Sequence, residues 1–264
     1  MNKFIGAGLL LIVFIPELAA QQNPNEYYEP PPELLRNEAS FGINIHSNGW
    51  GIDFRRGKNL TVSKKRMLEF EFVGMHHPKE IKSINPFYEN SKSYVFGKIN
   101  SMSVLRSAIG IQRVIAGKAE RGGVELRLNY TGGLSLGLVK PVYLNIIRND
   151  VNDPGFVTIS VEKYDPENPD HSQDNIYGRA AFTRGLDELN VYPGLYAKLG
   201  ISFEYGSYND GVKIIEVGIT ADAYHKKIPI MASPRIVTPT QTFEVKNNQL
   251  FFNFYINIIY GRKW

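Results

Sequence analysis

The chain has 264 residues, no cysteine and a formal net charge of +4. The missing cysteine excludes disulfides, thiolate metal sites and a lipid-modified N-terminal Cys. The positive charge is mild and its carriers are scattered along the sequence, which argues against a nucleic-acid partner. Beyond position 20 no run of eighteen apolar residues occurs, so spanning helices are excluded. Spanning strands are not, because alternating apolar and polar positions average out and the mean hydropathy of −0.24 carries no such signal.

Positions 1–20 read as a secretory signal peptide, with Lys3, an apolar core over 4–15, and Leu18-Ala19-Ala20 before Gln21. That core is too short to cross a bilayer as a helix. Positions 21–39 hold Pro24, Pro30, Pro31 and Pro32 with Tyr27 and Tyr28, and predict an extended, Pro-rich periplasmic tether. The expected product is exported and is not a lipoprotein.

Positions 40–264 predict eight strands. The first, 41–46, puts Phe41, Ile43 and Ile45 on one face; Asn48-Gly49 then signals a tight turn. The second, 50–56, has Trp50, Ile52 and Phe54 in phase. The third, 67–75, sets Leu68, Phe70 and Phe72 against Glu69 and Glu71. The fourth, 103–116, sets Leu105, Ile109 and Ile111 against Arg106, Ala108, Gly110 and Gln112. The fifth, 124–138, alternates without a break: Val124, Leu126, Leu128, Tyr130, Gly132, Leu134, Leu136 and Leu138 at even positions, with Glu125, Arg127, Asn129, Thr131, Gly133, Ser135 and Gly137 between them. A continuation to Asn145 would carry it beyond a membrane. The sixth, 195–205, and the seventh, 212–224, alternate in the same way, the latter with Ile215, Val217 and Ile219 against Glu216, Gly218, Thr220 and Asp222. The eighth, 249–264, puts Phe252, Phe254, Ile256, Ile258 and Tyr260 on one face and Phe251, Asn253, Tyr255, Asn257 and Gly261 on the other, and ends on Trp264 in the apolar phase.

The connections 57–66, 117–123 and 206–211 are short. Those on the other side, after the tight first turn, are long: 76–102, 146–194 and 225–248. Short periplasmic turns and long extracellular loops are the asymmetry of an outer-membrane barrel. The predicted fold is therefore all-β: one eight-stranded antiparallel transmembrane β-barrel. The C-terminal strand closes it against 41–46, and an aromatic C-terminus in that register reads as an assembly signal and interfacial anchor.

A soluble barrel would alternate too, with its apolar face inward. Two features favour lipid outside. The polar face carries Gly110, Gly133, Gly137, Gly200, Gly218 and Ser202, which suit a narrow lumen. It also carries charges of both signs: Asp53, Glu69, Glu71, Glu125, Glu204, Glu216 and Asp222 against Arg55, Arg106, Arg127 and Lys198. Paired, these can be buried as an interior network. Eight strands leave a lumen that side chains largely fill, so an open porin is not expected.

Chemistry-bearing residues are few. His76-His77-Pro78-Lys79-Glu80 reads as a polar loop start, since adjacent His need a third ligand placed by the fold. Asp165, Glu167, Asp170 and Asp174 offer hard oxygens for Ca²⁺, yet lack the spacing and central Gly of an EF-hand and read as a solvated acidic loop. His46 falls in the inner phase, His171 in a loop and His225 just past a strand end, with no Ser/His/acid arrangement at matching height. No catalytic residue, metal ligand or cofactor is predicted.

Segments 41–57 (FGINIHSNGWGIDFRRG), 65–80 (KRMLEFEFVGMHHPKE) and 132–144 (GGLSLGLVKPVYL) resemble a family of outer-membrane barrels in Bacteroidota, a phylum in whose exported proteins an Ala-Gln cleavage junction is common. The resemblance covers most of the chain after the leader. It implies an accessory role in an envelope machine, either barrel assembly (BAM) or type IX secretion, and carries over no catalytic residues; with no Ser/His/acid arrangement in the residues, the leading expectation is a non-enzymatic subunit that binds partners through its long loops and barrel wall. The implied partners are outer-membrane lipid and lipopolysaccharide, and other outer-membrane proteins such as BamA-like or secretion components. A stand-alone structural or adhesive barrel is the alternative, followed by a lipid-modifying enzyme and a porin. Long ordered loops commonly carry function, and three of them lie on one side here.

Overall fold

The computed structural model describes residues 37–118, 123–149, 157–205, 211–232, 235–238, 241–243 and 246–264. The predicted leader, most of the predicted tether, and parts of four connections lie outside these residues. Fifteen strands occur among the described residues: β1 Asn37–His46, β2 Gly49–Asn59, β3 Lys64–Met75, β4 Lys82–Ser83, β5 Tyr94–Val95, β6 Asn100–Ala116, β7 Glu125–Pro141, β8 Tyr143–Asn149, β9 Val157–Lys163, β10 Ile176–Arg179, β11 Asn190–Glu204, β12 Val212–Tyr224, β13 Arg235–Thr238, β14 Gln241–Phe243 and β15 Leu250–Lys263. Eight of them close a barrel in the order β1-β15-β12-β11-β7-β6-β3-β2. Every neighbouring pair is antiparallel. The predicted eight-stranded antiparallel barrel is the observed fold.

The seam joins the chain's two described ends. Ile43 faces Ile258 and Phe41 faces Tyr260 across β1 and β15. The pairing runs to the last residue, where the Trp264 and Asn37 backbones exchange two hydrogen bonds of 2.9 and 3.0 Å. β1 begins at Asn37, inside the segment read as tether, and Glu38 is buried in the lumen against Lys65. Lys65, read as part of a turn, belongs to β3, and the β2–β3 turn shrinks to 60–63. The buried pair explains both extensions, since each charge makes the other's burial tolerable. The first hairpin also differs by one residue. Ser47 and Asn48 form its two-residue loop, and Gly49 pairs with His46. Gly49 has φ 153°, and a Cβ there would stand 2.1 Å from the Gly74 carbonyl oxygen, so glycine is required at the first residue of β2.

Alternation fixes what each wall face meets. Outward positions are apolar: Phe41, Ile43, Trp50, Leu199, Phe254 and Ile256 are each between 48 and 75% exposed. Wholly burying such a side chain is worth about 1.5–3 kcal/mol, so this wall gains its stability only against lipid. Inward positions are charged and buried. Arg55 holds Glu216 with two bonds of 2.7 and 2.9 Å and Glu69 with one of 2.9 Å. Lys198 lies 2.5 Å from Glu69, 2.8 Å from Glu71 and 3.4 Å from Glu216. Arg106 bridges Glu71 and Asp222. Nearer the short turns, Arg127 spans Glu125 and Glu204. All eleven charges predicted for the interior are buried there. The glycines make room for the larger lumen groups: a Cβ at Gly200 would meet the Tyr255 hydroxyl at 2.2 Å, and one at Gly218 the same ring at 2.9 Å. An apolar wall around a filled, ion-paired lumen is a transmembrane barrel of the Gram-negative outer membrane.

Candidate binding platform at the long-loop end

Above the ion-paired layers the lumen turns apolar. Ile228, Ile230 and Met231, from the β12–β15 connection, are almost wholly buried among Val73, Met75, Val104 and Tyr224. Backbone bonds pin this segment as a plug. The Ile230 carbonyl accepts from the Ile99 and Asn100 amides at 3.0 and 3.2 Å, and the Ala232 amide donates to the Gly97 carbonyl at 2.8 Å. The Asn247 side chain accepts from the Ile230 amide at 3.0 Å and donates to the Met231 carbonyl at 2.8 Å. The β3–β6 and β12–β15 connections are thus stitched together over the barrel mouth.

Beyond the plug, the long connections build a second core. Tyr94, Phe96, Leu144, Ile146, Tyr164 and Ile176 pack against one another outside the barrel. Their scaffold is a three-stranded sheet in the order β10-β8-β9, with the β4–β5 hairpin beside it. β8 starts two residues after β7 ends, so the fifth predicted strand does run on past the membrane, interrupted only at Val142. Asn85 ties the two loops together: its side-chain amide donates to the Ile176 and Asp174 carbonyls at 2.8 and 3.2 Å. Among the described residues, the β3–β6 and β7–β11 connections therefore form one head, seated over the plug from the β12–β15 connection.

Two polar clusters brace this head. Arg148 holds Glu162 through two bonds, of 2.7 and 3.0 Å, and also pairs with Asp170. His171 is buried and lies 6.0 Å from the Tyr164 ring in a stacked arrangement. Its Nδ1 accepts from the Asp165 amide at 2.9 Å, which leaves Nε2–H to donate to Glu162 at 3.0 Å. Hydrogen bonds from Arg148, Ser160 and His171 hold the Glu162 carboxyl down at about 2. In the other cluster Glu80 receives Lys98 at 2.7 Å and His76 at 3.3 Å; burial opposes its charge, but these partners hold it at about 2. Burial lowers the pKa of the neighbouring His77, whose Nδ1 accepts from the Lys79 amide at 3.1 Å.

The predicted polar residues thus serve as braces. Asp170 is spent on Arg148, and Asp165 hydrogen-bonds the Glu167 amide at 3.0 Å. Among the described residues no group of three or more His, Asp or Glu is placed to hold a metal ion. His46 is buried inside the barrel, while His225 sits exposed with Nδ1 3.3 Å from the Pro193 carbonyl oxygen. The structure does not bring these histidines together with one another on the lipid-facing wall.

What sequence reasoning missed is β9. It is an edge of the head sheet, and among the described residues no strand pairs with its other side. Val157, Ile159 and Val161 lie on one face of it and are 48, 51 and 44% exposed. Ile159 stands opposite Ile147 of β8, which widens the apolar stripe. The signal was present in the alternation of 157–163, but a strand of seven residues inside a long connection is easily taken for loop.

No protein-family model matches the chain, and no curated protein matches it in sequence. Solved structures similar to it in shape include Ail, the attachment invasion locus protein of Yersinia pestis, at 7% identity, with 86% of this chain and 98% of that chain covered and a TM-score of 0.38. Neisserial surface protein A (NspA) matches at 10% identity, with 86% and 96% covered and a TM-score of 0.37.

Proposed function

We propose that this protein is a non-enzymatic, plugged outer-membrane barrel that displays a β-rich head to bind another protein, with the free edge of β9 as the docking strand. The observation that carries the reading is a strand edge that no described strand pairs, together with the exposed stripe Val157, Ile159 and Val161. Such an edge offers a ladder of backbone donors and acceptors to an extended segment, and the apolar side chains supply affinity. The plug and ion-paired lumen support a scaffold over a conduit. In the form implied by the sequence resemblance, the partner is a BamA-like barrel or a secretion component, and this protein is an accessory subunit of that machine.

The test is purification from native membranes in mild detergent, with a photo-crosslinker at Ile159. The expected result is a cross-linked outer-membrane protein that the variant V157K/I159K/V161K no longer retains. A wild-type protein that always runs alone, or a lysine variant that retains the same partner, overturns the proposal. Capture of a host surface component in place of an envelope protein would move the reading to adhesion.

A further inference from the structure

The outer wall at the short-turn end carries a patch of one sign. Arg262 on β15, Arg56 and Lys58 on β2, Lys64 and Arg66 on β3, and Arg113 on β6 all face outward and are exposed. Among the described residues, no outward-facing position of the eight barrel strands carries Asp or Glu. The register sharpens this. Lys58 stands directly opposite Arg66, and Lys64 directly opposite Arg113. Ala39 faces both Arg262 and Arg56, so two guanidinium groups flank one small side chain. Directly opposed like charges are destabilising in a sheet. None of these six side chains makes an ion pair with a described acidic residue, although the lumen immediately behind them is rich in carboxylates.

A groove of about 490 Å³ lies in this patch. Arg56, Lys58, Arg66 and Asn37 line its polar part, and Leu68 and Ile109 its apolar part. Two residues further into the wall from Arg56 comes Phe54, which packs on Phe41 at 4.9 Å, with Tyr260 opposite Phe41. The groove therefore sits where an aromatic belt gives way to cations, at the depth of lipid headgroups. Long Lys and Arg stems can lie along apolar surface while their charges reach the interface.

We propose that this patch is a docking site for anionic phospholipid of the periplasmic leaflet. The phosphate is held between Arg56, Lys58 and Arg66, and the start of an acyl chain lies on Leu68 and Ile109. A bound phosphate converts the opposed Lys58 and Arg66 from a repulsive pair into two halves of one anion site. It also fixes the depth and rotation of the barrel on the β1–β3 side.

The experiment uses the full chain refolded into liposomes of mixed phosphatidylcholine and phosphatidylglycerol, extracted gently, with the retained lipid counted by native mass spectrometry. Heat-modifiable gel mobility confirms that each variant is folded. Wild type retains phosphatidylglycerol well above its share of the liposome. R56Q/K58Q/R66Q loses that enrichment by at least about tenfold, as expected for three cations each worth roughly a fivefold attraction to an anionic surface. Should that variant fail to fold, R113Q/R262Q gives the same reading with a smaller loss. K226Q/K227Q, at the opposite end, retains the lipid as wild type does. Equal retention of both lipids by wild type, unchanged enrichment in both rim variants, or loss in K226Q/K227Q instead overturns the proposal.

Discussion

Arg55 and Glu216, 161 positions apart in sequence, meet inside the barrel as a two-point ion pair with bonds of 2.7 and 2.9 Å. Glu216 also accepts from Tyr255 and Ser202, both at 2.8 Å, so its two oxygens are fully engaged. The pair joins β2 to β12 across the lumen, where no backbone ladder connects them.

Removing Glu216 strips Arg55 of its two-point partner and leaves it only Glu69 and Asp53, in a lumen where water does not replace the lost carboxylate. Glu216→Ala is expected to destabilise the barrel by about 3–5 kcal/mol, read from the urea midpoint of reversible folding into detergent or thin liposomes. R55M/E216M, which removes both charges, should recover a large part of that loss. A Glu216→Ala variant as stable as wild type would mean that the lumen is open to water and that Arg55 is not buried.

The direction of the wall can be tested with one side chain. Leu199 lies in the outer face of β11 and is 48% exposed. Against lipid, Leu199→Arg should cost about 2–4 kcal/mol near the bilayer midplane. On a water-facing surface the same change would be nearly neutral, within about 0.5 kcal/mol. Folding stability in liposomes separates the two outcomes.

The head carries its own pH dependence. The Glu162 carboxyl is held at about 2, below its ordinary 4.5, by Arg148, Ser160 and His171. A depressed carboxylate stabilises fully above its unfolded value, and that contribution fades as pH falls from about 4.5 through about 2. Protection of the β8 and β9 amides, taken relative to their intrinsic exchange at each pH, should therefore fall across this window in wild type. Glu162→Gln should exchange faster at neutral pH and lose most of the step.

Ion conduction should be absent in planar bilayers. It should stay absent when the plug is weakened by I228G/I230G/M231G, because Arg106, bridged to Glu71 and Asp222 and packed 4.6 Å from the Tyr196 ring centre, still fills the lumen beneath. Stable single-channel steps in that variant would show that the plug alone closes the pore.

The barrel was legible in the sequence because its signal is local. Strands β7, β12 and β15 state their two faces by period-two alternation, and each connection states its length. The charged inward residues could be named for the same reason. Their partners could not: Lys198 reaching Glu69 and Glu71, or Lys65 reaching Glu38, depends on strand order and register, which alternation leaves open. The strand ends were blurred where a lumen pair extends the ladder, as at Asn37–Ala39. The head was hidden because β4, β5, β9 and β10 are short, and their core residues come from separate loops, with Tyr94 and Ile176 far apart in sequence.

By itself, then, the sequence determined a membrane barrel with its polar face inward, eight strands, and a lopsided set of loops. The physical reason is that lipid outside and a narrow lumen inside impose a residue-by-residue pattern that needs no knowledge of neighbours. Only the tertiary structure decided what the two ends do. Among the described residues it folded the long connections into a plug and a head, with one edge of β9 that no described strand pairs. It also gathered basic residues that look scattered along the chain into a single outward patch, because antiparallel pairing sets Lys58 against Arg66 and Lys64 against Arg113.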